Sequence, residues 1–164
     1  FLYFSKDSKL RVMFLGDIVG RAAREKIVRD LPGIKKDHLI DFAIVNGENS
    51  AGGFGITEDI CKDLFLAGVD CITTGNHLWD QREILDFIND EDRLLRPANF
   101  PDHTPGSGFN IFETQKGKIL VINVSILLAC FNISSIIFLS KPIELSTLMV
   151  SKYPNRTVRG VFNS

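Results

Sequence analysis

The sequence predicts an α/β fold built on a parallel sheet. Three observations carry that expectation. A strand–loop–helix grammar repeats over the first hundred residues, each short apolar run ends in a Gly-containing loop, and those loops recur at intervals of one crossover unit. Strands and helices that alternate at this length imply parallel neighbours joined by right-handed crossovers.

The first unit opens with Arg11 to Leu15 (RVMFL), a buried strand by its continuous apolar character. Gly16-Asp17-Ile18-Val19-Gly20 follows as a loop, and a helix is expected from about Arg21 to Leu31, with Ile27, Val28 and Leu31 on its inner face. Pro32-Gly33 should end that helix. In the second unit Asp41 to Val45 (DFAIV) is the strand, followed by Asn46-Gly47-Glu48-Asn49 and the glycine-rich Gly52-Gly53-Phe54-Gly55. Thr57 suits the N-cap of a helix over Glu58 to Ala67, and Gly68 suits its C′ position. The third strand, Val69 to Thr73, leads into Gly75-Asn76-His77, after which Asp80 and Glu83 form a capping box for a helix through Ile88. Beyond Phe100 the pattern changes. Pro101 to Gly108 reads as a loop, and Phe109–Phe112 with Lys118–Val124 reads as a β-hairpin turning at Lys116-Gly117.

Composition narrows the functional classes. Nineteen basic residues against twenty acidic ones give a net charge of −1, so no overall charge draws the chain to a nucleic acid or an anionic membrane. With 45% hydrophobic and 24% charged residues the chain has the make-up of a soluble globular domain, and a homo-oligomer is compatible with it. Cys61, Cys71 and Cys130 lack metal-finger spacing and form an odd set, which suits a reducing cytoplasm. The chain begins at Phe1 rather than Met, so a fragment or processed product is expected, with residues 1–10 as a leader.

The chemistry lies in three polar loops. Asp17, Glu48 and the pair Asn76-His77 each fall just past the C-terminal end of a predicted strand, 31 and 28 residues apart. In an open α/β sheet those ends share one edge, where such folds bind ligands. Two carboxylates, two amides and an imidazole would meet there, a donor set suited to Mn²⁺, Mg²⁺, Fe or Zn²⁺. Taken singly, Asp17 also fits a turn former or helix cap, and Gly75-Asn76-His77 also fits a simple turn. Glu48 is harder to explain that way, because Asn-Gly makes a turn without a following carboxylate. Jointly, three such loops at matched strand ends favour a site. His38 and His103 read as solvated surface residues. The Gly16 to Gly20 spacing lacks the G-x-G-x-x-G form, and no Walker A sequence is present.

Four segments then carry a family resemblance: FLGDIVGR (Phe14–Arg21), VNGENSAGGFGIT (Val45–Thr57), TTGNHLWD (Thr73–Asp80) and LLRPANFP (Leu94–Pro101). In order and spacing they resemble a bacterial family of calcineurin-like metallophosphoesterases whose members are 2′,3′-cyclic-nucleotide 2′-phosphodiesterases. The resemblance spans about Arg11 to Val124. It implies a metallophosphoesterase-type layered α/β sheet, here only the N-terminal βαβαβα half plus the hairpin. It further implies two divalent metal ions (Mn, Fe or Mg) that activate a hydroxide against a small-molecule phosphoester. By position Asp17 would ligate the first metal, Glu48 would bridge the two, Asn49 would complete the first site and Asn76 would bind the second. His77 would be the catalytic imidazole that assists the leaving group. Gly52, Gly53 and Gly55 would let the backbone approach the site.

The chain departs from that family in its last forty residues. The family completes its metal shell with three further histidines in the C-terminal half, and no histidine follows His103 here. Residues 125–164 are therefore expected to be a divergent tail produced by frameshift, truncation or a gene-prediction error. Ile119 to Ser140 carries no charge and is long enough to cross a bilayer, but Asn123, Ser125, Asn132, Ser134 and Ser135 weigh against that and its first third already serves as a sheet strand. Two functions follow from the sequence: a cytoplasmic metal-dependent phosphodiesterase in the full-length form, or a non-catalytic truncated remnant binding at most one metal or a nucleotide.

Overall fold

The computed structural model describes residues 10–128, 131–139 and 148–150. The expected leader falls outside the described residues except for Leu10, which is buried against the sheet. The parallel sheet contains β1 (Val12–Leu15), β2 (Phe42–Asn46), β3 (Cys71–Thr73) and β4 (Leu94–Leu95). Helices α1 (Gly20–Asp37) and α2 (Glu58–Leu66) cross between the first three strands. A single 3₁₀ turn (Leu78–Asp80) and the short α3 (Ile84–Phe87) connect β3 to β4. The chain then forms an antiparallel sheet from β5 (Phe109–Thr114), β6 (Gly117–Leu128) and β7 (Phe131–Leu139). A last strand, β8 (Leu148–Val150), pairs in parallel with β1, so the first sheet runs β4-β3-β2-β1-β8 among the described residues.

Alternation along the strands sorts their side chains between two cores. Met13, Ala43, Val45, Ile72 and Leu94 face α1, α2 and α3, where they pack with Leu31, Ile60, Leu64 and Ile84. The intervening residues Val12, Phe42, Ile44, Cys71 and Leu95 face the antiparallel sheet and meet Ile119 and Val121 of β6. Both faces of the strands are therefore apolar, which is why these segments read as continuous hydrophobic runs. Each fully buried Leu or Ile contributes about 1.5–3 kcal/mol relative to leaving it in water. The layers are helices, parallel sheet and antiparallel sheet, in accord with the layered α/β arrangement expected.

Several elements form as their sequence signals indicate. The Thr57 hydroxyl caps α2 by accepting from the Ile60 N–H at 3.3 Å, and Gly68 follows the helix at φ +98°. The expected hairpin forms, with β5 and β6 paired in register from Phe109↔Ile122 to Thr114↔Gly117, but it turns at Gln115-Lys116, one residue earlier than Lys116-Gly117, and Gly117 is the first residue of β6.

Three expectations are corrected. α1 does not stop at Pro32 but runs on to Asp37 with the proline inside it. The extension is held by long-range contacts: Lys35 Nζ donates to the Asp70 carboxylate and to the Gly68 carbonyl, both at 2.7 Å. Val28 is exposed, and the inner stripe is Ala23, Ile27 and Leu31, one residue every four. Asp80 and Glu83 do not form a capping box. Asp80 lies in the 3₁₀ turn, and Glu83 precedes α3 without a side-chain cap. In the uncharged stretch from Ile119 to Ser140 the described residues form the strands β6 and β7, and among the described residues no helix is long and apolar enough to cross a membrane.

Candidate active site

Because β1, β2 and β3 are parallel, their C-terminal ends share one edge of the sheet. Asp17 follows β1 by two residues, Glu48 follows β2 by two, and Asn76 follows β3 by three. Backbone hydrogen bonds lace the three loops together. Ile18 N–H donates to the Asn46 carbonyl and Gly20 N–H to the Asn49 carbonyl, each at 3.0 Å, and Gly47 N–H donates to the Thr73 carbonyl at 2.9 Å. Val19 and Asn49 also form a parallel bridge. Loops tied in this way hold their side chains on a rigid edge.

The polar residues meet as the sequence spacing indicated. The Asn49 side-chain amide donates to Asp17 Oδ1 at 2.6 Å. This occupies the amide nitrogen and leaves the Asn49 carbonyl oxygen as the group suited to a hard cation. Glu48 is only 3% exposed, and one of its carboxylate oxygens, Oε2, has no hydrogen-bond partner. Burial pushes the Glu48 carboxyl above the usual range, and the like charge of Asp17 adds to the effect. The backbone N–H groups of His77 and Asn76 act against that shift.

Gly75 explains how Glu48 is seated. A Cβ at this position would overlap the Glu48 carboxylate, coming within 2.7 Å of its Cδ, so the loop after β3 can lie against the acid only because residue 75 has no side chain. His77 is oriented by Asp80, whose Oδ2 lies 2.7 Å from Nδ1. That contact commits Nδ1 and leaves Nε2 as the ring nitrogen for proton transfer. The Phe54 ring stands edge-on to the imidazole, with centroids 5.5 Å apart and planes at 77°.

These residues fit a divalent cation. A buried carboxylate with an unpartnered oxygen, a second carboxylate in electrostatic contact and the Asn49 amide make an oxygen-rich donor set, with the backbone of Asn76 against the buried acid. Among the described residues no three His, Cys, Asp or Glu side chains converge as a self-contained metal cage. His38 and His103 are exposed, as expected.

Asn123 is a residue that the sequence reading did not assign to this edge. It is fully buried, and its side-chain amide donates to the carbonyls of Thr74 at 2.8 Å and Leu95 at 2.9 Å. It thereby joins β6 to the ends of β3 and β4, at the residue that precedes Gly75. The available signal was alternation: Ile119, Val121 and Asn123 lie on one face of β6, and the first two are core residues.

The profile of the YmdB-like protein family matches residues 13–138, past the Val124 limit of the sequence resemblance. The chain is 44% identical over 115 residues to a Bacillus subtilis (strain 168) protein named 2′,3′-cyclic-nucleotide 2′-phosphodiesterase; the match covers 70% of this chain and 44% of that protein. A crystal structure of a hypothetical protein from Thermus thermophilus superimposes with a TM-score of 0.66 at 36% identity, over 70% of this chain and 44% of the other. A crystal structure of a phosphatase from Mycoplasma pneumoniae superimposes with a TM-score of 0.66 at 35% identity, over 76% of this chain and 47% of the other. The chain spans less than half the length of the curated relatives it matches. On the strength of the profile match and of this identity, the chain belongs to the YmdB-like protein family.

Proposed function

We propose that the chain carries the first part of a two-metal phosphodiesterase site acting on small phosphoesters, with 2′,3′-cyclic nucleotides as the substrate class. The observation that carries this reading is Glu48: a nearly fully buried carboxylate with an unpartnered oxygen, placed between the loop of Asp17 and the loop of Asn76 and His77. Such a group is costly to bury without a cation beside it. The names of the relatives from Bacillus subtilis and Mycoplasma pneumoniae support the same chemistry.

In this reading Asp17 and Asn49 would hold the first ion, Glu48 would serve both, and Asn76 would hold the second. The ions would be Mn, Fe or Mg, and they would supply electrophilic activation of the phosphoester and of the attacking water. The chain's own residues do the rest. Asn49 fixes the Asp17 carboxylate through its amide, and Gly75 lets the third loop close onto Glu48. His77, held at Nδ1 by Asp80, presents Nε2 to protonate the departing ribose oxygen. A cytoplasmic setting belongs to the same proposal.

The test is calorimetric titration of the chain with Mn²⁺, repeated on Asp17→Ala and Glu48→Ala. Binding should be lost or weakened at least about tenfold in both variants; undiminished binding in both would remove this site from the protein. The absence of a three-residue metal cage among the described residues favours a second reading, a non-catalytic remnant that binds at most one ion. A stoichiometry near two supports the two-metal site, and a stoichiometry of one supports the remnant.

A further inference from the structure

Phe54 occupies a position that the proposed metal chemistry does not use. It lies in the glycine-rich turn after β2 and is 60% exposed, beside the imidazole proposed to act on the substrate. The turn around it is closely fastened. Gly53 N–H donates to the Asn49 carbonyl at 3.0 Å, Ala51 N–H to the Gly55 carbonyl at 2.9 Å, and Phe54 N–H to the Ala51 carbonyl at 3.2 Å. From the next loop, Gln81 Nε2 donates to the Phe54 carbonyl at 2.9 Å. Gly55 closes the arrangement: at φ +76° it brings the turn so near the loop of His77 that a Cβ would lie 2.8 Å from Gln81 Cγ. The backbone of Phe54 is thus pinned on both sides while most of its side chain remains in water.

We infer that Phe54 is a specificity-determining residue whose ring stacks on the nucleobase of the substrate. This rests on the phosphoester reading above and adds the part of the substrate that the metal site cannot recognise. The edge-on contact with His77 leaves at least one face of the phenyl ring free for a planar partner. With the two ring centroids 5.5 Å apart, a base stacked on Phe54 would lie beside the imidazole proposed to act on the phosphoester. Stacking is tolerant of base identity, so this contact would select nucleotides over simple phosphoesters without selecting one base. Fastening the turn in advance reduces the ordering cost of that contact.

The experiment separates the base from the phosphate. The Mn²⁺-treated chain is titrated with adenosine and, separately, with inorganic phosphate, in the wild type, Phe54→Ala and Phe54→Trp. Adenosine affinity should fall about five- to a hundredfold in Phe54→Ala and be kept in Phe54→Trp, in line with measured base–aromatic stacking. Phosphate affinity should be the same in all three, because the residues proposed to hold the ions are unchanged. Equal adenosine affinity in wild type and Phe54→Ala overturns the inference, as does a wild type that does not bind adenosine. Failure of all three proteins to bind phosphate counts against the phosphoester reading, and the adenosine series then still decides the role of Phe54.

Discussion

Ile44 and Glu48 stand four residues apart, one inside β2 and one just beyond its end, and both are almost wholly buried. Ile44 is closed in by apolar neighbours on the sheet face that β6 covers. Glu48 is closed in by two loops, with an acid nearby and one carboxylate oxygen left without a partner. The same depth therefore has opposite consequences. In the strand, burial removes apolar surface from water and stabilises the fold. At the strand end it raises the cost of a charge and makes the site receptive to a cation. Stability resides in the sheet interior, and the proposed chemistry resides at the edge, where the loops forgo some of that stability.

That contrast can be tested by mutations ranked by their effect on stability. Ile44→Ala should be the most damaging, lowering unfolding free energy by about 2–5 kcal/mol in urea denaturation, while Mn²⁺ binding by the folded fraction is kept. A loss under about 0.5 kcal/mol would mean that this part of the core is loosely packed. Gly75→Ala should cost less, about 1–3 kcal/mol, because its methyl group is forced against the Glu48 carboxylate. Unlike Ile44→Ala it should also weaken Mn²⁺ binding, and a normal metal affinity would show that the loop after β3 can yield without moving the acid.

Thr57→Ala removes the α2 cap and should cost about 1 kcal/mol, with no change in metal affinity, as read from paired melting and titration curves. Glu48→Gln should have the smallest effect on stability and the opposite sign. Removing a disfavoured buried charge should raise the melting temperature of the metal-free chain by about 2–4 °C for each kcal/mol relieved. The same substitution should abolish the stabilisation that Mn²⁺ gives the wild type. A lower melting temperature for Glu48→Gln without metal would show that the carboxylate is well satisfied as it stands.

The parts of the fold that were legible in the sequence are those decided within a few residues. Apolar runs marked β1, β2 and β3, the Thr57 and Gly68 signals bounded α2, and Lys116-Gly117 marked the β5–β6 turn to within one residue. The candidate site was legible for the same reason. A polar residue just after a strand can be placed from the strand alone, and parallel strands bring such residues to one edge. The structure accordingly gathers the loops of Asp17, Glu48, Asn49, Asn76 and His77. His38 and His103 lie in exposed segments, as the sequence indicated.

What the sequence did not determine was set by contacts between distant segments. Pro32 removes a hydrogen-bond donor and would end an isolated helix, yet α1 continues because Lys35 reaches Asp70 and Gly68 across the fold. Asp80 has the local chemistry of a cap, but His77 offers it a stronger partner at 2.7 Å, and the helix it was expected to begin is reduced to Ile84–Phe87. Alternation along β6 could place Asn123 on the inward face but not name its partners, because the carbonyls it binds belong to Thr74 and Leu95, 49 and 28 residues away. Local propensity and periodicity thus determined which segments became strands and helices and which polar residues reached the sheet edge. Packing and hydrogen bonding between distant segments decided where α1 ended, how His77 was oriented and what supports the edge from below, since those energies exist only once the layers are assembled.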